Sequence, residues 1–303
     1  MAEQIRGDEF LTSLLGICRP LDAFEMPLLD AHGATLAEDI YAGERLVMKA
    51  GARIRSTQIG LAASIGLGHL PTRPHPRVVV LSAGPDLVEP GKELTGTEEY
   101  ETNSWLLTTA VREAGAVAFR VHSIPNNEEE LKAVIEDQLV RADLIVVSGE
   151  RGDDSFDLIT RTLSSLGEIT TVDIAIENSG RHNYGLVGPD RVPIVTLPGD
   201  PISAYISFEL FVRPMIRTML GSENIHRPSV KARLEKPVAS TAGLRSYLRG
   251  FLSEDGTHVK AVETQEELSS LSDANALISV PEKDVHLKAG TEVSVVVLRR
   301  RYF

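Results

Sequence analysis

Three short apolar runs, each rich in β-branched residues and each closed by a small turn, constrain this chain more than any other feature. They are Arg77–Leu81 (RVVVL), Asp143–Val147 (DLIVV) and Val192–Leu197 (VPIVTL), ending at Ser82-Ala83-Gly84, Ser148-Gly149 and Pro198-Gly199. Continuous apolar runs of this length fit strands buried on both faces, as in parallel sheets covered by helices. Between them, Ser104–Ala114 and Glu128–Val140 have helical spacing, the second with Leu131, Val134, Ile135 and Leu139 on one face. The pattern predicts a doubly wound α/β domain over residues 75–222. Ligands of such sheets bind outside the carboxyl ends of the strands, so the three turns mark the expected site.

The chain has 303 residues, more than one core usually holds, which predicts two or three units. Residues 1–74 read as a mixed segment with a helix over Phe10–Ile17 and another over Ser56–Ile65, Ser56 as its N-cap and Gly66 as its stop. Pro71-Thr72-Arg73-Pro74-His75-Pro76 reads as a linker. Beyond Gly221 the periodicity becomes that of strands: Val230–Leu234, Tyr247–Leu252, His258–Val262, Ala276–Val280 and Val293–Leu298 predict a β-barrel-like module over residues 223–303.

An excess of 43 acidic over 31 basic residues, a formal charge of -12, opposes binding of nucleic acid. No apolar run approaches the roughly 18 residues of a membrane span. The start MAEQIRGDEF lacks the charged and apolar regions of a signal peptide, so a cytoplasmic protein without a membrane partner is expected. Cys18, the one cysteine, sits beside Ile17 and reads as packing. No His-x-x-x-His pair, Walker A loop or Gly-x-Gly-x-x-Gly turn is present, so transition-metal, ATPase and dinucleotide redox chemistry lose support.

Three segments could carry chemistry. Pro198-Gly199-Asp200-Pro201-Ile202-Ser203 opens a helix running to about Leu220, with Asp200 fitting N-cap and Pro201 fitting N1. Its free N–H groups suit an anion, or the residues simply punctuate a turn. In Ser148–Asp157, Asp153, Asp154 and Asp157 suit a hard cation such as Mg²⁺, or they cap and favour the positive end of a helix. In Tyr100-Glu101-Thr102-Asn103, Asn103 caps a helix, and Glu101 either is a solvated carboxylate or joins Asp153 and Asp157 at the strand ends.

Taken in order, these segments resemble the MoeA family of molybdopterin molybdenumtransferases, which includes the E domain of gephyrin. Leu81–Leu87 (LSAGPDL) is similar to the family's STGDEL turn, Tyr100–Asn103 to its Y-D-[ST]-N, and Ser148–Asp157 to its SGGVSVGDYD. Pro198–Ala204 (PGDPISA) matches PGNPVSA, Arg245-x-Tyr247-x-Arg249 an R-x-[EF]-x-R strand, and Leu268–Pro281 the C-terminal SSL-x-x-AN-x-L-x-x-LP. The resemblance implies binding of molybdopterin or adenylyl-molybdopterin, molybdate as co-substrate and a homodimer. Glu101, Asp153 and Asp157 would hold Mg²⁺, with Glu101 and Asp157 as catalytic carboxylates. Ser82, Gly84, Asp86, Asn103, Ser148, Gly149, Arg181, Pro198, Gly199, Asp200 and Ser203 would bind the pterin and its phosphate, with Arg245 and Arg249 contributing charge from a distance.

Departures from the family pattern point to a changed site. The motif DNSAMDGYA is absent, and Glu38–Gly43 resembles both segments that flank the family's second domain, which implies its deletion and a more open cleft. The K-P-G-K-P motif falls on Glu177-Asn178-Ser179-Gly180-Arg181, losing lysines that attract phosphate and molybdate, with Arg181 and His182 near enough to substitute in part. Asp200 replaces an Asn; a carboxylate about 4 Å from a phosphate charge costs about 4 kcal/mol at a dielectric near 20. These losses motivate a second expectation, a non-catalytic scaffold that binds protein partners as gephyrin does.

Overall fold

The computed structural model describes residues 3–84, 86–121, 127–149, 153–265 and 267–299, with only the backbone of Asp153. The three apolar runs form neighbouring parallel strands, Arg77–Ala83, Leu144–Gly149 and Val192–Leu197, at the heart of a seven-stranded sheet. Val117–Arg120 completes one edge. On the other side lie Gly180–Val187, the antiparallel member, then Gly167–Ile174 and Glu3–Ile5. Alternate residues of each buried strand face opposite layers. Val78, Val80, Leu144 and Val146 pack with Phe10, Leu107, Val111 and Phe208, while Val79, Leu81, Ile145 and Val147 pack with Leu131, Ile135, Ile159 and Leu163. The strand and helix (Gly7–Gly16) at the start of the chain thus belong physically to this sandwich, although the sequence groups them with the N-terminal segment.

The rest of the N-terminal segment has its own core of Ala31, Leu36, Met48, Ile54, Ala62 and Leu70. Its helix is Ser56–Ser64, and Arg55, not Ser56, is the N-cap: Gln58 accepts from the Arg55 N–H at 3.1 Å, satisfying that end without a serine cap. Pro71-Thr72-Arg73, expected in a linker, completes the strand His69–Arg73 between Phe24–Pro27 and Thr35–Leu36. Proline is tolerated there because its carbonyl still accepts, from the Ala37 N–H at 2.8 Å, so the connection shrinks to residues 74–76.

The helix after the third strand follows its sequence signals closely. Asp200 is the N-cap, accepting from the Ser203 N–H at 2.9 Å, and Pro201 opens Pro201–Ser207. A π-helical turn, Phe208–Val212, precedes Arg213–Met219, where Pro214 lacks an N–H and its ring disturbs regular packing of the turn before it. Gly221, at φ 63°, ends the run.

The C-terminal strands close into a five-stranded barrel in the order Ser229–Leu234, His258–Ala261, Ser246–Leu252, Ala276–Val280 and Glu292–Val297. It is seated on the helix after Pro201 through Ile202 and Ile206 against Leu277, Leu298 and Tyr247. A bridge between Ile176 and Arg245 ties it to the turn after Gly167–Ile174. The barrel therefore stands beside the carboxyl ends of the sheet strands and walls a cleft over them.

Candidate functional site

The sheet register sets Ser82 opposite Ser148, each at the end of its strand. The two hydroxyls are 2.8 Å apart, and Ser82 donates to Glu101 Oε1 at 2.7 Å. Glu101 also accepts from the Ser104 N–H at 2.7 Å and from the Ser104 hydroxyl, with the Arg120 guanidinium 3.7 Å away. It is 1% exposed. Instead of standing solvated in a loop, Glu101 caps the helix Asn103–Ala114 and joins it to the strand ends. Asn103, expected as the cap, lies inside the helix with Thr102 before it. Its Nδ2 donates to the Gly199 carbonyl at 2.8 Å, while its buried Oδ1 has no partner. One amide thus links two of the turns and keeps an acceptor in reserve.

Glu101, Asn103, Gly149, Gly199 and Asp200 line a cavity of about 260 Å³ that also reaches Leu268 near the barrel. Gly149 is required there, because a Cβ would stand 2.8 Å from Ser155 Oγ and 3.0 Å from Ile159 Cδ1. Gly84 and Ser148 are buried, and Asp86, Pro198 and Gly199 are partly buried; of these five only Gly199 lines the cavity.

Asp200 and Ile202 also line a second cavity of about 650 Å³ between the sheet and the barrel. Its walls include Ser179, Ser203, Ser207, Arg249 and Gln265. Arg249 is 6% exposed, its Nε donates to Ser270 at 3.1 Å, and it has no ion pair with a carboxylate among the described residues. Burial pushes its pKa down, with the Asp200 carboxylate opposing that shift. A guanidinium held this way is poised for an anion. Arg245, the other expected arginine, is already committed to Glu282, with contacts of 3.0 and 3.1 Å.

Behind the second cavity, His182 is fully buried, with Nδ1 2.8 Å from the Thr196 carbonyl and Nε2 2.9 Å from Ser179 Oγ. A carbonyl only accepts, so Nδ1 carries the proton and Nε2 accepts from Ser179. Burial lowers the His182 pKa from 6.5 to about 4. The unfolded chain takes up a proton below about pH 6.5 that the native state refuses until about pH 4. This contribution to stability is therefore complete above pH 6.5 and is lost as the pH falls. It amounts to roughly 3 kcal/mol over that interval. Thermal denaturation between pH 7 and pH 4 should show a shallower decline for His182→Gln than for the parent. Parallel curves would contradict it.

Asp157 and Arg181 sit outside this enclosure. Asp157 is more than half exposed, Arg181 Nη1 is 3.5 Å from its Oδ1, and the guanidinium lies 4.3 Å over the Phe156 ring. The side chain of Asp153 falls outside the described residues, as do Glu150 and Arg151. Among the described residues no three acidic, histidine or cysteine side chains gather to hold a metal. Sequence reasoning did not single out Arg120, Ser179, Ser207, Gln265 or Ser270 as site residues. Of these, Ser270 carried a signal by lying within LSSLSDANALISVP, and Ser179 by lying within Glu177–Arg181.

Comparison with known proteins bears on the same two regions. The model described as "Probable molybdopterin binding domain" matches residues 80–218, and that of "MoeA C-terminal region (domain IV)" matches residues 231–298. Molybdopterin molybdenumtransferase 1 of Mycobacterium tuberculosis is 34% identical over 277 residues, covering 88% of this chain. The chain belongs to the MoeA family. Molybdopterin molybdenumtransferase 2 of the same organism is also 34% identical, over 272 residues and 87% of this chain. The chain spans 65% and 66% of the lengths of these two MoeA relatives. In fold, a crystal structure of a MoeA protein from Pyrococcus horikoshii superposes with a TM-score of 0.83 at 21% identity, covering 98% of this chain and all of that one. Among the described residues no helix is long and apolar enough to cross a membrane.

Proposed function

We propose that this MoeA-family chain acts in molybdenum cofactor biosynthesis, binding molybdopterin or adenylyl-molybdopterin as substrate and inserting molybdenum from molybdate. The observation that carries the reading is the buried Arg249, unpaired with any described carboxylate and anchored by Ser270, in a cavity whose wall at Asp200 and Ile202 continues into the pocket of Asn103, Gly149 and Gly199. The smaller pocket offers the free acceptor of Asn103 and a glycine-lined floor against which a flat, donor-bearing ring fits. Arg249 supplies positive charge for an oxyanion. Metal insertion at an activated pterin needs charge neutralisation and orientation more than a protein nucleophile, and these residues supply that.

Mg²⁺ fits the described residues poorly. Both Glu101 oxygens accept from Ser82 or Ser104 beside Arg120, and the one described oxygen contact of Asp157 is with Arg181. We take the chain to work in the cytoplasm as a homodimer.

The test is complementation of a bacterial strain lacking its molybdenum insertase. Restored molybdoenzyme activity is expected. Failure with folded, abundant protein would overturn the enzymatic reading.

A further inference from the structure

Ser179 is held in a strained turn at the wall of the larger cavity. It lies in the turn joining Gly167–Ile174 to Gly180–Val187, flanked by two left-handed residues, Asn178 at φ 60° and Gly180 at φ 63°. Asn and Gly are the residues that accept such angles, and together they bend the chain sharply around one serine. Glu177 clamps the turn to the barrel, its N–H donating to the Arg245 carbonyl at 2.9 Å and its carboxylate accepting from Thr241.

The Ser179 hydroxyl donates to His182 Nε2 at 2.9 Å, and the Thr196 carbonyl fixes the imidazole from the other side at 2.8 Å. Phe10 and Phe211 enclose the ring, at 5.3 and 6.1 Å between centroids. A nucleophile, a base in the accepting tautomer and a group that orients the base are the three parts of a serine acyl-transfer centre, with a carbonyl here in the place of a carboxylate. Ser179 and Arg249 line the same cavity of about 650 Å³.

We propose that Ser179 is a nucleophile, activated by His182, that takes the acyl group of a small activated carboxylic ester. Attack forms the bond from Ser179 Oγ to the acyl carbon as its proton passes to His182 Nε2. Collapse of the tetrahedral intermediate breaks the bond to the leaving oxygen or sulfur, which recovers the proton as an alcohol or thiol. Water, deprotonated by the same imidazole, then releases the carboxylic acid and restores the serine. Arg249, in the same lining, is the cation available to charge developing on the carbonyl oxygen. The low basicity of His182 confines the centre to esters with good leaving groups, such as aryl esters and thioesters.

The test uses the full chain with p-nitrophenyl acetate and, separately, a fluorophosphonate. A stoichiometric burst of nitrophenol and an adduct mapped by mass spectrometry to Ser179 are expected. Ser179→Ala should react at least about 100-fold more slowly. Fluorophosphonate labelling of the parent protein needs no variant and so does not depend on the mutant's folding. Absence of label on Ser179, or label on another residue alone, would overturn the proposal. It does not depend on molybdenum insertion, so either reading can fail while the other stands.

Discussion

Glu101→Ala should lower the melting temperature by about 10 °C and the unfolding free energy by roughly 3 to 5 kcal/mol. The change removes the acceptor of the Ser82 hydroxyl, the Ser104 N–H and the Ser104 hydroxyl, and takes away the carboxylate 3.7 Å from Arg120. The Ser82 and Ser104 donors are buried and lose a charged acceptor, so the cost is that of hydrogen bonds to a carboxylate. Glu101→Gln should fall between, because an amide keeps one acceptor but turns its NH₂ toward existing donors. Urea unfolding of the three proteins checks this. A metal-ligand role alone would give the opposite pattern, with Ala as stable as the parent and only cation affinity lost.

Arg249→Met should separate binding from folding. Arg249 is buried without a described carboxylate partner, a cost to the empty protein that a methionine of similar length relieves. The melting temperature should stay level or rise. Affinity for molybdate should drop by at least about tenfold, the loss of one or more charge-assisted hydrogen bonds. Arg249→Lys retains charge but forfeits the planar Nε contact with Ser270, so its affinity should lie between the two. Equilibrium dialysis with molybdate alongside thermal denaturation reads both quantities. A lower melting temperature with unchanged molybdate binding would make Arg249 a structural residue.

The scaffold of the site was legible because it follows from local chemistry. Apolar β-branched runs ending in glycine and serine turns became the buried parallel strands, and Asp200-Pro201 capped its helix as such a pair should. The fate of Glu101 was not legible. Its orientation depends on Arg120, which is distant in sequence and reaches it only because Val117–Arg120 pairs with Arg77–Ala83. Arg245 and Arg249 illustrate the same limit. Two residues apart on one strand, they look equivalent in sequence, yet Glu282 neutralises the first while no described carboxylate pairs with the second. The pairing of Ser179 with His182 was missed because nothing in the sequence reveals that a tight turn folds the hydroxyl back onto a buried ring. The brief strand Glu3–Ile5 was missed because three residues carry no periodicity.

The claim that these two joined cavities hold a phosphorylated pterin is tested most directly by calorimetric titration with adenylyl-molybdopterin, using the parent protein and Arg249→Met. The account predicts micromolar binding by the parent and at least about tenfold weaker binding by the variant at an equal or higher melting temperature. Absence of heat from folded parent protein, or equal affinity in the two, would contradict it.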